Sequence, residues 1–364
     1  MELTRKNILI ISPEAWGEHF LSKHHYAIEL ARLGNRVFFL NPPQSGRLLT
    51  QVPIAELPNL VVVNYTGLRG IRFFPSPLRK VIQLWEARKL SSICGCVFDA
   101  VWSFDNSRFY DLTAFGECLK IAHIMDQAMD FHTAEHAGSA DIALGVTPGI
   151  VKRLNRFNAN SHLIEHGFAP EKVEAQGQIQ LGTAAYSGNL LLKFIDRQLV
   201  ERLIVECSEI EFHFFGATGN SNIGKLRGED HVFIEMLRHA PNVVLHGPVP
   251  RNELLDRLQN LAVLLLFYDT KTYPEDTANS HKILEYLSTG RPVLSTPIQA
   301  YSGSGLVRQT SDNDTYIQLL QEMAAGKEDY GQHAAERKAF ADARTYHVRI
   351  REIADLIHER ITKG

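Results

Sequence analysis

The stretch Asn279-Ser-His-Lys-Ile-Leu-Glu-Tyr-Leu-Ser-Thr-Gly-Arg-Pro-Val-Leu-Ser-Thr296 decides how this chain is interpreted. It combines a polar start, a short helix, a glycine and a strand. Asn279 or Ser280 can cap the first helical turn. Apolar residues recur at helical spacing and give the helix one apolar face: Ile283, Leu284 and Leu287. Gly290 is predicted to end the helix, at a position that usually needs a positive φ.

The start of this predicted helix gathers groups that attract an anion. Unpaired backbone N–H groups and the helix dipole favour negative charge there. The Ser280 hydroxyl, the His281 imidazole and the Lys282 ammonium lie in the same turn. Glu285 follows one turn later, where it can accept a hydrogen bond from a sugar hydroxyl of the same ligand. The stretch therefore predicts a phosphate or diphosphate site, and the alternative is a capped surface helix that binds nothing.

Length and composition describe an ordinary globular chain. Its 364 residues suffice for two domains, and 45% hydrophobic with 22% charged residues is normal for such proteins. A net charge of −3 gives no indication of nucleic acid binding. Cys94 and Cys96 have no second Cys/His pair nearby, so we expect reduced thiols and no metal.

The sequence gives two expectations about membranes. It shows neither a signal peptide nor an apolar run long enough to span a bilayer, so we expect a cytoplasmic protein. Residues 68–89 mix basic and aromatic side chains, which is a composition found on membrane surfaces. Peripheral contact with the inner face of a membrane is one interpretation of this segment. The other is an amphipathic helix that packs on a sheet and solvates its basic face.

Short apolar strands alternate with helical segments along the chain, which predicts an α/β fold with parallel sheets. We predict two doubly wound, Rossmann-like domains that face a central cleft, with a linker in residues 167–181. The predicted boundaries are 1–170 for the N-terminal domain and 171–342 for the C-terminal domain. A helix in 343–364 is expected to return to the N-terminal domain. The whole region from Val307 to Gly364 looks largely helical.

Several segments together carry a resemblance to a known family. They are Ile8–Pro13 with the helix that follows it, Asp141–Thr147 with His162–Gly167, Tyr186–Asn189, Phe212–Gly216, Val243–Pro250, Leu261–Tyr268 and the opening stretch. On these segments the chain resembles the two-domain GT-B glycosyltransferases, in the family-4-like group also called glycosyl transferases group 1. A narrower similarity to cell-envelope polysaccharide transferases depends on His123-Ile-Met-Asp-Gln-Ala-Met-Asp-Phe131.

The resemblance implies a hexosyltransferase-type enzyme. It would move a sugar from a nucleoside-diphosphate sugar to a hydroxyl of a glycan or lipid-linked glycan. Retention of configuration, no metal and no cofactor are expected on the same ground. Two alternatives remain open, namely a nucleotide-sugar epimerase of the same fold and a degenerate relative that only binds nucleotide.

The resemblance also assigns donor-binding roles by position. Lys193 is expected as a second cation and catalytic candidate, while Asn189 stands where similar enzymes carry an arginine. Thr277 stands where they carry a glutamate that contacts the donor sugar, and Glu275 or Asp276 would substitute for it. The full predicted donor set is Gly17, Gly188, Asn189, Val249, Thr277, Asn279, Ser280, His281, Lys282 and Glu285.

Candidates for the acceptor side lie at or after the ends of predicted strands, where a His or Asp could orient or deprotonate a hydroxyl. They are Glu18, His19, Asp105, Asn106, His123, Asp126 and Asp130. Of these we select His123 and Asp126 as catalytic candidates. A structural role is the alternative for each. Residues 219–225 have P-loop spacing, but Leu226 follows where a Ser or Thr should bind magnesium, so we interpret them as an ordinary loop.

Overall fold

A computed structural model describes most of the chain. The described ranges are 3–17, 20–44, 50–68, 71–126, 132–171, 177–218, 228–327 and 330–363. The chain divides into two compact units. Unit 1 comprises Met1–Gly167 and Tyr346–Gly364, and unit 2 comprises Phe168–Thr345.

Unit 1 is built on an eight-stranded sheet in the order β3-β4-β2-β1-β5-β6-β7-β8. Its strands are β1 Asn7–Ile11, β2 Arg36–Leu40, β3 Thr50–Ile54, β4 Leu57–Asn64, β5 Ala100–Ser103, β6 Leu119–Ile124, β7 Ile142–Gly145 and β8 Ser161–Leu163. All neighbours are parallel except β3, which pairs antiparallel with β4.

In its described residues, unit 1 has five α-helices. They are α1 Ser22–Arg32, α2 Ser76–Cys94, α3 Thr133–Gly138, α4 Pro148–Leu154 and, at the far end of the chain, α11 Tyr346–Lys363. The Tyr346 hydroxyl donates to Ser22 Oγ over 3.0 Å, and its ring stacks on His25. Arg349 pairs with Glu165 and Glu352. These contacts fasten α11 to α1 and to the segment after β8.

Unit 2 is built on a six-stranded sheet in the order β11-β10-β9-β12-β13-β14. Its strands, all parallel, are β9 Gln180–Ser187, β10 Glu211–Phe215, β11 Val243–Gly247, β12 Leu261–Leu266, β13 Val293–Ser295 and β14 Val307–Gln309. Counted within the unit, the order is 3-2-1-4-5-6, which is that of a Rossmann fold.

The helices of unit 2 connect these strands and follow the last of them. They are α5 Arg197–Glu206, α6 Gly228–His239, α7 Arg251–Leu258, α8 His281–Ser288, α9 Asn313–Ala324 and α10 Tyr330–Asp342. The central strand β12, Leu-Ala-Val-Leu-Leu-Leu, is buried at every residue. A continuous apolar run of this kind is what a strand covered on both faces requires.

Two edge strands differ from the sequence prediction. Val307–Gly364 is largely helical, as predicted, but its first three residues form β14, which the sequence did not indicate and which extends the sheet of unit 2. β3 was not predicted. It carries Pro53, lies at the sheet edge and is mostly exposed, so its sequence lacks the apolar alternation of an inner strand.

In the described part of the chain, every helix is too short or too polar to cross a lipid bilayer.

Candidate functional site

The site begins at the point where the strand order of unit 2 reverses. β9 and β12 are neighbours there, and the chain continues from them toward opposite sides of the sheet. In sheets of this kind, the crevice at the carboxyl ends of these two strands is where ligands bind. The loop after β9 starts with Gly188, and the loop after β12 leads to the start of α8.

A tyrosine fixes α8 against this edge. The backbone N–H of Ser187, the last residue of β9, donates to the Tyr286 hydroxyl over 2.8 Å. Tyr286 is fully buried, as are its apolar neighbours on the same helix face. Gly290 has φ of 76° and follows the end of α8, as predicted. The helix therefore has a fixed position relative to the strand end.

The start of α8 is not capped in the way the sequence suggested. Ser280 occupies the N-cap position, but its side chain makes no capping hydrogen bond, and Asn279 precedes the cap. The Ser280 hydroxyl instead bonds to the buried Tyr268, and its carbonyl accepts from the Tyr301 hydroxyl over 3.2 Å. The Ile283 N–H of the first turn donates to the Ser280 carbonyl over 3.2 Å, so no side chain of the cap residue covers the helix start, where the helix dipole favours an anion.

The structure brings together two predicted residues, Lys282 and Gly188. A Cβ atom built on Gly188 would lie 2.5 Å from Lys282 Cε and 2.6 Å from Nζ, so the lysine runs directly against the glycine backbone. Among the described residues, none places a carboxylate within ion-pair distance of the Lys282 ammonium. Burial lowers the pKa of Lys282, and the charge of Glu285 opposes that shift. A partly buried cation of this kind favours an anionic ligand.

A second glycine contact shapes the same edge. A Cβ on Gly216, after β10, would lie 1.8 Å from the Gly188 carbonyl oxygen, and the Gly188 N–H donates to the Phe215 carbonyl over 2.7 Å. Both glycines have positive φ, 142° at Gly188 and 152° at Gly216. The two loops can approach this closely only without side chains at these positions.

Glu285 lies one turn into α8 and is bound by an arginine that the sequence analysis missed. Its carboxylate lies 3.1 Å from Arg251 Nη1, with the glutamate side chain 16% exposed. Arg251 also donates to the Ala169 carbonyl over 3.0 Å and lies 3.7 Å from Glu171. Arg251 starts α7 directly after Pro250. Its place next to the predicted nucleobase loop was the signal that could have pointed to it.

Asn189 and Lys193 lie along a cavity of about 980 Å³ in unit 2. Lys193 Nζ lies 2.7 Å from Asp276 and 4.9 Å from the centre of the Tyr273 ring. Asn189 turns its amide oxygen toward the Leu191 N–H, at 2.9 Å, within its own loop. The cavity walls thus combine the Lys193 cation, the Tyr273 ring and polar loop residues, a mixture suited to polyhydroxylated ligands.

Thr277 does not present its side chain to a ligand, contrary to the prediction. The residue is 1% exposed, and its hydroxyl donates to the Tyr273 carbonyl over 2.7 Å. Asp276, beside it, is the carboxylate that reaches Lys193. Val249 is half-buried and packs on the core of unit 2. Desolvation, with Lys282 and Arg251 nearby, lowers the pKa of His281 to about 3.

His123 is buried rather than poised at a surface, which argues against the predicted role as a general base. It has no solvent exposure, and its Nδ1 accepts from Trp102 Nε1 over 3.3 Å. Its ring packs on Tyr26 and Phe104. Burial lowers the pKa of His123 to about 3, with a smaller contribution from His166. An imidazole with this pKa is a weak proton acceptor at neutral pH.

The remaining predicted residues also lie in unit 1. Asp126 is exposed after β6, and Gly17 is exposed with its nearest neighbour, the Ala15 carbonyl oxygen, 3.9 Å from a built Cβ. Asp105 accepts hydrogen bonds from the Ser107 N–H and hydroxyl, and Asn106 is buried, so both have structural roles. Glu18, His19 and Asp130 lie outside the described residues, and so do residues 219–225 of unit 2.

A buried lysine near these residues was not predicted. Lys23 is 6% exposed and forms an ion pair with Glu14. Burial lowers its pKa, while Glu14, Asp105 and Asp126 act in the opposite direction. Its position on α1, immediately after an exposed aromatic loop, gave no sequence signal of burial.

Comparison with solved structures defines the class of fold. No protein-family model matches the chain, and no curated protein sequence does so either. The chain resembles sucrose-phosphate synthase from Thermosynechococcus elongatus, with a TM-score of 0.70 and 10% identity over 99% of this chain and 100% of that one. It also resembles a glycosyltransferase from Rickettsia africae, with a TM-score of 0.67 and 9% identity over 99% and 100% of the chains.

A third similar structure is described as trehalose-6-phosphate from E. coli bound with UDP-2-fluoro glucose. Its TM-score is 0.67 and its identity 9%, over 96% of this chain and 98% of that one. The chain has the GT-B fold, as the sequence predicted. At these identities, the likeness concerns the fold, and function must be argued from the site.

Proposed function

We propose that the protein is a glycosyltransferase that uses a nucleoside-diphosphate sugar as donor. One observation carries this proposal, namely the contact between Lys282 and Gly188 at the reversal point of the unit 2 sheet. A cation without a carboxylate partner in the described structure, a helix start without a side-chain cap and a glycine loop meet there. This combination suits a diphosphate.

The chemistry follows from the charge that develops on the leaving group. When the bond between the sugar and the diphosphate breaks, negative charge grows on the diphosphate oxygens. On this proposal the positive end of the α8 dipole and the Lys282 ammonium would stabilise that charge. On this proposal Lys193, held by Asp276, adds a second positive charge along the cavity where the sugar would lie.

The residues that would bind the ribose and the nucleobase of the donor are assigned by their positions in the fold. Glu285 would accept a hydrogen bond from a ribose hydroxyl, with Arg251 orienting its carboxylate. The loop 247–250 would hold the nucleobase through backbone groups. By the family resemblance we further propose a hexosyl donor, transfer with retention of configuration and no metal. The acceptor would be a hydroxyl of a glycan or lipid-linked glycan, with Asp126 on the acceptor side.

Donor binding is tested by thermal shift with a panel of nucleoside diphosphates and nucleotide sugars. Lys282→Ala removes a charge-assisted contact worth about 1.5–3 kcal/mol, so the Kd should rise roughly 10- to 100-fold. Glu285→Ala should weaken the binding of nucleosides as well as of nucleotides, because Glu285 is proposed to bind the ribose, which both ligands carry. The matched control is Lys327→Ala, an exposed lysine of unit 2 that follows α9. Unchanged nucleotide binding in both Lys282→Ala and Glu285→Ala would contradict the assignment of the donor site to α8.

Turnover separates transfer from the other activities of this fold. Release of nucleoside diphosphate should depend on an added glycan or lipid-linked acceptor and should fail in Lys282→Ala. Rapid epimerisation of a nucleotide sugar without acceptor would contradict the proposal. Nucleotide binding without turnover of any donor, across a broad acceptor panel, would identify a binding protein instead.

A further inference from the structure

Helix α2 of unit 1 buries polar side chains and exposes apolar ones, which is the reverse of the usual arrangement in a surface helix. The face that packs against the protein includes two polar residues, Gln83 and Glu86, which are 0% and 3% exposed. Glu86 lies 3.5 Å from Arg108, and the Gln83 amide oxygen accepts from the Asp111 N–H over 3.1 Å. Two polar side chains of this helix therefore bind partners inside the protein and do not face the solvent.

The opposite face of α2 exposes large apolar side chains. Leu78, Val81 and Trp85 follow one another at spacings of three and four, so they form a single stripe along the helix. Their exposed fractions are 45%, 63% and 59%. Phe73 and Phe74, directly before the helix, are exposed as well. We call these five residues the α2 stripe.

Exposed large apolar side chains are concentrated around the α2 stripe and are not spread evenly over the surface. Among the described residues, half of the exposed large apolar side chains fall within 68–97, namely Leu68, Phe73, Phe74, Leu78, Val81, Leu84, Trp85 and Val97. The others are scattered along the chain. Exposed apolar groups that cluster in this way mark interaction surfaces.

The charges next to the α2 stripe are positive. Arg88 continues the stripe one turn beyond Trp85 and is exposed, and Lys89 places its ammonium 5.2 Å from the centre of the Trp85 ring. The acidic residue of α2, Glu86, points inward. Lys80, on the flank of the helix, is 67% exposed and pairs with Asp111.

We infer that the α2 stripe is a docking surface for an anionic lipid bilayer. Exposed aromatic and aliphatic side chains enter the boundary between headgroups and acyl chains, while Arg88 and Lys89 face anionic headgroups. The charge pattern distinguishes this partner from a second copy of the chain. A second copy would offer no exposed carboxylate on its own α2, where Glu86 is buried, whereas an anionic surface neutralises Arg88 and Lys89.

Vesicle binding tests this surface without any need for catalysis, so its failure leaves the proposed transferase activity standing. The full chain is sedimented with vesicles of phosphatidylcholine, with and without phosphatidylglycerol. Binding should require the anionic lipid and should weaken as salt is added. Arg88→Gln with Lys89→Gln should weaken partitioning about fivefold per charge removed. Val81→Ser with Trp85→Ser should reduce it at least tenfold.

The control double variant is Val205→Ser with Val232→Ser, which removes exposed apolar residues of unit 2. It should bind vesicles like the unchanged protein. Brominated lipids should quench the fluorescence of Trp85, and quenching should disappear in Trp85→Ser. Absence of binding to anionic vesicles, or equal binding by all variants, would overturn the inference. A dimer in solution that Val81→Ser with Trp85→Ser dissociates, without vesicle binding, would replace it with self-association.

Discussion

Gly188 is the residue on which the proposed donor site depends most directly. Its φ of 142° is rarely adopted by residues with a side chain, and the space where a Cβ would lie is filled by Lys282. The residue thus couples the loop after β9 to the cation of α8. Side-chain volume at this position would displace the ammonium that we assign to the diphosphate.

The first prediction concerns Gly188→Ala. We expect a loss of about 1–3 kcal/mol in the free energy of unfolding, because the backbone is strained and a side chain is displaced. Affinity for nucleoside diphosphates should fall at least tenfold, measured by calorimetric titration. The matched control is Gly303→Ala, which also has positive φ but open space around its Cβ position. It should lose stability and keep its affinity, whereas unchanged affinity in Gly188→Ala would contradict the assignment.

Sequence reasoning at the residue scale succeeded where a backbone motif fixed the geometry. Gly188 and Lys282 were both selected from motifs, and the structure places them in contact. It failed where burial decided the outcome. His123 and Thr277 stand at plausible positions along the chain, but tertiary packing encloses both side chains. Arg251 was missed because its partner Glu285 is close only in the folded unit.

At the scale of elements, neighbouring strands of unit 2 share a histidine pair. His213 Nδ1 on β10 lies 2.9 Å from His246 Nε2 on β11, and the rings are stacked. Arg257 of α7 donates toward His246 Nδ1 over 3.2 Å, and Glu211 lies 2.9 Å from His213 Nε2. Since Arg257 can only donate, His246 Nδ1 accepts, and its Nε2–H donates to His213.

This pair predicts a pH dependence of stability. Burial lowers the pKa of both histidines, and His246 is lowered further by His213 and Arg257. A histidine with a lower pKa in the folded state binds its proton more readily when unfolded. Stability is therefore complete above the unfolded pKa of about 6.5 and falls as the pH drops below it.

The measurement is the Tm between pH 7 and about pH 5, across the range in which histidine titrates. His213→Gln with His246→Gln should show a smaller decrease in Tm over this range than the unchanged protein. An exposed histidine of α6 provides the control, His239→Gln, which should keep the full decrease. Equal slopes in all three proteins would show that the pair is not coupled to folding.

Elements with a strong apolar pattern were predicted with bounds close to those observed. The sequence pattern predicts strands at Asn7–Ile11, Arg36–Leu40, Ala100–Ser103 and Glu211–Phe215, and these are the observed bounds of β1, β2, β5 and β10. Buried parallel strands are recognisable because they are continuous apolar runs. The sequence analysis missed β3 and β14 because they lie at sheet edges, where a strand needs fewer apolar residues. The helix start at Ser280 was located correctly, but the direction of its hydroxyl depends on Tyr268, a distant residue in sequence.

At the scale of the whole molecule, two parallel sheets organise the chain. The alternation of strands and helices was sufficient to predict an α/β fold with parallel sheets, and the family resemblance predicted GT-B, although similar solved structures are only about 10% identical to this chain. Hydrophobic pattern and strand order are retained at such distances while side chains change. For the same reason the donor base, the sugar and the acceptor do not follow from the fold.

The central claim is that unit 2 binds the diphosphate of a donor at the start of α8. The most direct measurement is a crystal structure of the protein with a bound nucleoside diphosphate, chosen from the thermal-shift panel. We predict a β-phosphate oxygen within about 3.2 Å of Lys282 Nζ or of an N–H in the first turn of α8. A nucleotide that binds elsewhere on the chain, with its diphosphate away from α8 and Gly188, would contradict the account.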